Sequence, residues 1–348
     1  MRQVKGEGSV DWMRQEMSAH AADDPREITR RAALKRLSAI AALPLVAGAF
    51  DVAVAAPLSY PLKPVRIADG VWVLYGVPEP IDRSNGGAIA NTTIFDTREG
   101  AVIVDTGPSK RYGVELEACV RELTGKPVAR VYLTHFHPDH VFGNQAFEAK
   151  AIAAPQGVID GLTSFGEDFA SAMYHAAGDW MRGTELVVPG RAVNDGVEEI
   201  GGRRFVLKVL GGHTPCDLAL TEETSGIIVA GDLVFLDRAA TTPHADPERW
   251  RQSLQALAAI KAVQIVPGHG PVEGGLRGLD QTRDWLAMVE DTIRSAFERG
   301  MSMNEAMEVP LPAWTEKIAL SRYEFERSVM HFFPKLEAGQ WPRVDKKT

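Results

Sequence analysis

The chain has 348 residues, 45% of them hydrophobic and 24% charged, with a formal net charge of −8. That balance suits a globular protein with one large domain and an appendage. With no basic cluster in the folded body, it excludes a nucleic-acid partner.

Residues 1–28 are polar and carry no apolar periodicity. "TRRAALKRLSAIAALPLVAGAF" follows, with Arg30 and Arg31 ahead of a short apolar run from Leu37 to Phe50. This looks like a twin-arginine export signal, with Ala33 standing where a bulky residue is usual. Small residues at Ala53 and Ala55 place cleavage after Ala55. A membrane anchor is the competing reading. The run falls short of the roughly 20 residues a spanning helix needs, and Pro44 interrupts it. The expectation is a periplasmic chain, free of the membrane once residues 1–55 are removed.

"GVWVLYG" (70–76) and "GAIANTTIFDT" (87–97) are rich in β-branched and aromatic residues and predict strands. A buried strand is expected within 99–107, a helix over 111–125 ending at glycine, and another buried strand over 128–135. Residues 154–183 are read as a helical insertion. Strands return at 203–213, 217–223 and 226–235, then an amphipathic helix at 247–260 with Pro247 at its start, and a strand at 262–270. From about 276 the pattern is helical, with breaks at Pro310, Pro312 and Pro334. Strands in two blocks, each followed by helices, argue for two packed sheets with helices outside. The divisions expected are 1–55, 56–275 and a C-terminal helical extension over 276–348, whose segment 321–337 suits core packing or a homodimer interface. Cys119 and Cys216 show no spacing that supports a disulfide and are read as free thiols.

Three of the nine histidines lie in "THFHPDH", residues 134–140. His135 and His137 alternate on extended backbone and point the same way, and Pro138 then bends the chain before Asp139 and His140. His213, Asp232 and His269 each follow a predicted strand. Five histidines and two aspartates at strand ends are hard to explain as separate polar residues. Imidazole and carboxylate together suit zinc.

These residues resemble the metallo-β-lactamase-fold superfamily, whose signature is His-x-His-x-Asp-His with later His, Asp and His. The resemblance covers roughly 60–275. It implies an α/β fold, a four-layer αβ/βα sandwich with metals at one sheet edge. It also implies that His135, His137 and His213 hold one zinc, that Asp139, His140 and His269 hold a second, and that Asp232 bridges them. Asp105, in "VDTG", would hydrogen-bond beside the site rather than bind metal. Zinc lowers the pKa of bound water from 15.7 to about 7 and so supplies hydroxide at neutral pH. Asp139 would orient that hydroxide, which makes it the catalytic candidate. The expected chemistry is cleavage of a carbonyl ester, thioester or amide in a small molecule. A single iron stays open as the metal, since some persulfide-oxidising relatives hold one with similar histidines.

Asp232 stands where zinc β-lactamases carry cysteine or serine, so a β-lactamase is the second reading. A third is a non-catalytic handler of metal or quinone cofactor. Further segments, among them "VDTGPSKRYG", "THFHPDHVFGNQAF", "GDWMRGTE", "GDLVFLDRAATTPHAD" and "VPGHGP", resemble the quinoprotein relay system zinc metallohydrolases, which are related to a sulfur-oxidation cluster hydrolase. That family is exported and associated with periplasmic dehydrogenases using pyrroloquinoline quinone. Cys216 replaces its usual glycine in Gly-His-Thr-Pro-Gly-Asp, which puts the loop geometry there in question. Arg238, Thr241 and His244 on one loop, and Trp180 from the helical segment, are the candidates for substrate contact.

Overall fold

The computed structural model describes residues 58–340, so the expected export segment lies outside it. Seven strands form the first sheet in chain order: β1 (Pro64–Ala68), β2 (Val71–Leu74), β3 (Thr92–Thr97), β4 (Gly100–Val104), β5 (Val128–Tyr132), β6 (Ile152–Pro155) and β7 (Arg191–Val193). β1 to β4 are antiparallel neighbours, and the pairs from β4 to β7 are parallel. The second sheet holds β8 (Gly196–Ile200), β9 (Arg203–Leu210), β10 (Asp217–Glu222), β11 (Ile227–Phe235) and β12 (Gln264–His269), in the order β12-β11-β10-β9-β8. Only its β11–β12 pair is parallel.

Parallel neighbours need a crossover, and helices supply it. α1 (Lys110–Thr124) joins β4 to β5. It starts where the Ser109 side chain accepts the Tyr112 N–H and stops at Gly125, whose φ of 69° suits glycine. The short α2 (Pro138–Val141) follows β5, and α3 (Gln156–Ala177) joins β6 to β7. The expected insertion is therefore a crossover unit of the first sheet. α4 (Pro247–Ala258), capped by Asp246 and opened by Pro247, joins β11 to β12.

Alternation along the strands sets the two faces of the second sheet. Ile227 and Val229 of β11 and Leu218 and Leu220 of β10 pack toward the first sheet, against Val71, Val73, Phe95, Val102 and Val104. Ile228, Ala230 and Ala219 point the other way, into a cluster with Trp250 and Leu254 of α4. That cluster also takes Trp285 and Val289 of α5 (Arg277–Glu298), Ala306 of α6 (Met303–Met307) and Phe325, Val329 and Phe333 of α7 (Ser321–Gln340). On the far side, α1 and α3 pack on the outer face of the first sheet. The result is the four-layer αβ/βα sandwich expected.

Helices beyond residue 275 are thus built into the outer layer, and the described residues from 59 onward form one compact unit. The apolar face of α7 is buried in that layer, which accounts for its pattern by core packing. Pro334, read as a break, lies inside α7. Missing from the sequence expectations were β1, β6, β7 and β8. Replacing fully buried Phe325 by alanine should cost about 3–5 kcal/mol of stability, read as a drop in the urea midpoint. A loosely attached helix would give a loss under about 1 kcal/mol.

Candidate metal centre

The chemistry-bearing side chains meet where strand ends of both sheets converge. His135 and His137 lie just after β5, Asp139 and His140 in α2, His213 just after β9, Asp232 within β11 and His269 at the end of β12. One group comprises His135, His137, His213 and Asp232, and the other Asp139, His140 and His269, with the ligand atoms of each group within 4.8 Å of one another. Asp232 stands between them. One of its oxygens is 3.3 Å from Nε2 of both His213 and His269, and the other is 3.2 Å from Nε2 of His140. Asp139 Oδ2 lies 3.4 Å from His269 Nε2 and 3.6 Å from His140 Nε2.

Outer hydrogen bonds turn these rings. His140 Nδ1 donates to Asp105 Oδ2 at 2.8 Å, His213 Nδ1 to the Thr241 carbonyl at 3.1 Å, and His269 Nδ1 to the Ile89 carbonyl at 2.8 Å. Thr134 uses its one hydroxyl proton on Asp105 Oδ2, so it accepts from His135 Nδ1 at 3.0 Å. In its neutral form each of these four rings thereby presents an unprotonated Nε2 inward, the form that binds metal. His137 is reversed: its Nδ1 faces His213 Nε2 at 2.8 Å, and its Nε2 faces His244 Nδ1 at 2.8 Å.

Nε2 of His135 and His140 and Oδ1 of Asp232 are buried without a hydrogen-bond partner. Orphaned buried polar atoms are rare and call for an explanation. Two convergent sets of nitrogen and oxygen donors fit a pair of divalent metal ions, which satisfy all three atoms at once.

Electrostatics agree. Burial holds His135 and His137 well below the usual histidine range and brings His213 down to about 3, so these rings are neutral and ready to bind a cation. Burial would raise Asp232, but His269, His140, His213 and His135 outweigh it and keep the carboxyl well below its usual value. His140 runs the other way. Burial pushes it down, but the Asp232, Asp139 and Asp105 carboxylates lift it well above the usual range. The metal-free site therefore carries a proton on His140.

Backbone detail supports this arrangement. Asp105, at φ 64°, holds a left-handed conformation uncommon for a residue with a side chain. Its carboxylate accepts from the Thr134 N–H and hydroxyl as well as from His140. It thus touches a ligand's outer nitrogen and sits behind the donor set. A Cβ on Gly268 would lie 1.8 Å from Asp232 Oδ1, so only glycine leaves room for that carboxylate. Asn91 ties the sheets together here: its amide donates to the carbonyls of Pro267 and Gly270, either side of His269. Asn91, Ile89 and Thr134 were not found by sequence reasoning. Two of them act from a segment about 180 positions away, Asn91 through its side-chain amide and Ile89 through its backbone carbonyl.

The four substrate-contact candidates divide. Arg238 is only 3% exposed and donates to Glu324, so its guanidinium is committed to the interior, a correction to the expectation. Trp180 is corrected likewise. It donates to the Arg83 carbonyl and packs 4.4 Å from the Tyr60 ring. Thr241 reaches the site through its carbonyl on His213. His244 does abut the ligands, among Phe136, Phe165 and Phe169, and burial beside Arg327 and Lys335 brings it down to about 4. Cys119 and Cys216 are free thiols. Cys216 needs no left-handed backbone, and its side chain packs against Gly157 in the first turn of α3. His213 keeps its place.

Two outcomes follow from this geometry. Gly268→Ala should cut zinc binding by at least about tenfold by displacing Asp232, measured by competition with a chromophoric chelator. Zinc binding to the metal-free chain at pH 7 should release a proton from His140, whose raised pKa must be overcome by the metal. Calorimetry in buffers of different ionisation enthalpy would show it as a buffer-dependent heat.

Known proteins agree with this picture. The sequence model of the family described as the metallo-beta-lactamase superfamily matches residues 85–269. A linear primary-alkylsulfatase from Pseudomonas sp. (strain ATCC 19151) is 23% identical, over 71% of this chain and 54% of its own length. A beta-lactamase-like protein 2 homolog from Caenorhabditis elegans is 28% identical, over 52% of this chain and 56% of its own. The chain thus spans about half the length of these curated relatives. Among solved structures, a metallo-beta-lactamase from Pontibacter korlensis superposes with a TM-score of 0.52 at 22% identity, covering 65% of this chain and 99% of its own. The metallo-beta-lactamase IND-7 gives 0.52 at 20%, covering 65% and 98%. At such identities the superpositions speak for the fold alone. With the family match falling on the two donor groups just described, the chain belongs to the metallo-beta-lactamase superfamily.

Proposed function

We propose that this protein is a hydrolase that holds two zinc ions and cleaves a carbonyl ester, thioester or amide in a small molecule. The observation that carries this reading is the pair of donor sets facing each other across Asp232, with three buried atoms unsatisfied without a cation. When bound, a zinc pair supplies a nucleophile at neutral pH and polarises the oxygen of the bond under attack.

The chain's own residues do the rest. His137 and Asp139, 8% and 6% exposed, are the least buried of the seven ligands, so substrate approaches over them. Asp139 turns Oδ2 to His140 and His269, which leaves Oδ1 to accept a hydrogen bond from the attacking water and orient it. Asp232, buried among four imidazoles, stays ionised and keeps the two donor sets in register. Phe136, Phe165 and Phe169 form an apolar wall beside His137 and exclude water there.

The twin-arginine-like segment supports a periplasmic location. The sequence segments shared with the quinoprotein relay family support a role beside a pyrroloquinoline-quinone dehydrogenase. A second reading, hydrolysis of a sulfate ester, is favoured by the alkylsulfatase relative. Cysteine or serine at position 232 would have favoured β-lactams, and aspartate stands there.

Initial rates of the zinc-loaded chain on a model thioester, a chromogenic cephalosporin and an alkyl sulfate would rank these readings. We expect a thioester kcat/KM on the order of 10⁴ M⁻¹s⁻¹ or more. It should fall by about 10²–10⁴-fold in Asp139→Ala with the fold intact by circular dichroism. Cephalosporin or alkyl-sulfate turnover in that range with an idle thioester would overturn the carbonyl-ester reading. Fewer than two zinc ions per fully loaded chain would overturn the zinc pair.

A further inference from the structure

Two of the three histidines in the first donor set take their outer contact from a single loop, residues 237–246. The Thr241 carbonyl accepts from His213 Nδ1 at 3.1 Å, and His244 Nδ1 lies 2.8 Å from His137 Nε2. The loop is held from outside by α7, which lies beyond the family-matched residues 85–269.

Glu324 of α7 is fully buried. Its Oε1 accepts from the Thr241 hydroxyl at 2.9 Å and from Arg238 Nη2 at 3.3 Å, and its Oε2 accepts from Arg327 at 3.0 Å. One turn later, Ser328 donates to the Glu324 carbonyl at 2.6 Å and so accepts from the Thr242 hydroxyl at 2.7 Å. A buried carboxylate between two guanidiniums adds little net stability over apolar packing of the same volume. What it adds is direction: an apolar side chain would fill the space but could not hold the Thr241 hydroxyl.

We infer that Glu324 is a positioning residue for the metal centre: through Thr241 it fixes the carbonyl that turns Nε2 of His213 toward the first donor set. This rests on the two-metal reading above. It predicts an effect on one metal ion and not on the other, since His140 and His269 take their outer bonds from Asp105 and Ile89 rather than from the loop that α7 holds.

The test uses the full mature chain, titrated with cobalt(II) while its visible ligand-field absorption is followed. Glu324→Gln and Thr241→Val should each weaken one of the two binding events by roughly 10–100-fold, shift that ion's absorption, and leave the other within twofold. Thr241→Val removes one hydroxyl from a partly exposed residue and leaves no charge unpaired, so it decides the matter if the Glu324 variant fails to fold. Phe325→Ala, on the same helix, should lower Tm and move neither affinity. If Thr241→Val leaves both events unchanged, or weakens both equally, Glu324 serves packing only and the inference falls. The readout is independent of turnover. A selective cobalt effect in a protein inactive on every ester would sink the proposed function and leave this inference standing.

Discussion

Seven ionisable side chains converge within a few ångströms, five of them imidazoles and two carboxylates, and all but His137 and Asp139 are at most 4% exposed. Burial of that kind is unfavourable unless every donor and acceptor finds a partner. The rest of the structure answers that constraint. Carbonyls of Ile89 and Thr241, the Thr134 hydroxyl and the Asp105 carboxylate take the outer nitrogens. The inner atoms are left for cations. The same bonds that satisfy the rings also aim them, so stability of the fold and competence of the site have a common origin.

The supports come from every layer. Asp105 follows β4, Ile89 precedes β3, and Thr241 lies on the loop after β11, each delivered to one edge by the strand beside it. Rigid strands place the ligands, and loops of fixed hydrogen bonding tune them. α5 and α7 act at one further remove: Trp285 Nε1 donates to the Ala240 carbonyl and Glu324 holds Thr241, so the outer helical layer grips the loop behind the trihistidine set.

Much of this was legible in the sequence because the relevant signals are local. His135 to His140 lie within six residues, and β9, β10 and β11 are rich in apolar residues because the faces of that sheet meet two apolar layers. β1 and β7 were not legible. They lie at sheet edges, are short and partly exposed, and lack a buried face to impose alternation. β8, also an edge strand, reads as polar and is exposed at three of its five positions. Contacts between distant segments left no local trace either. Glu324 looks like any helix acid until Thr241, 83 positions away, is brought beside it. Arg238 and Trp180 looked available for substrate because exposure cannot be read from residue type. The partners that bury them, Glu324, Tyr60 and the Arg83 carbonyl, come from other elements.

The uneven exposure of the ligands has a kinetic consequence. On the proposed two-metal reading, ions would enter and leave across His137 and Asp139, the least buried ligands and the side over which substrate would approach. Metal exchange and substrate occupancy then compete for one doorway. A bound substrate or product shields the ions from chelators, and an idle enzyme is the form most exposed to losing them.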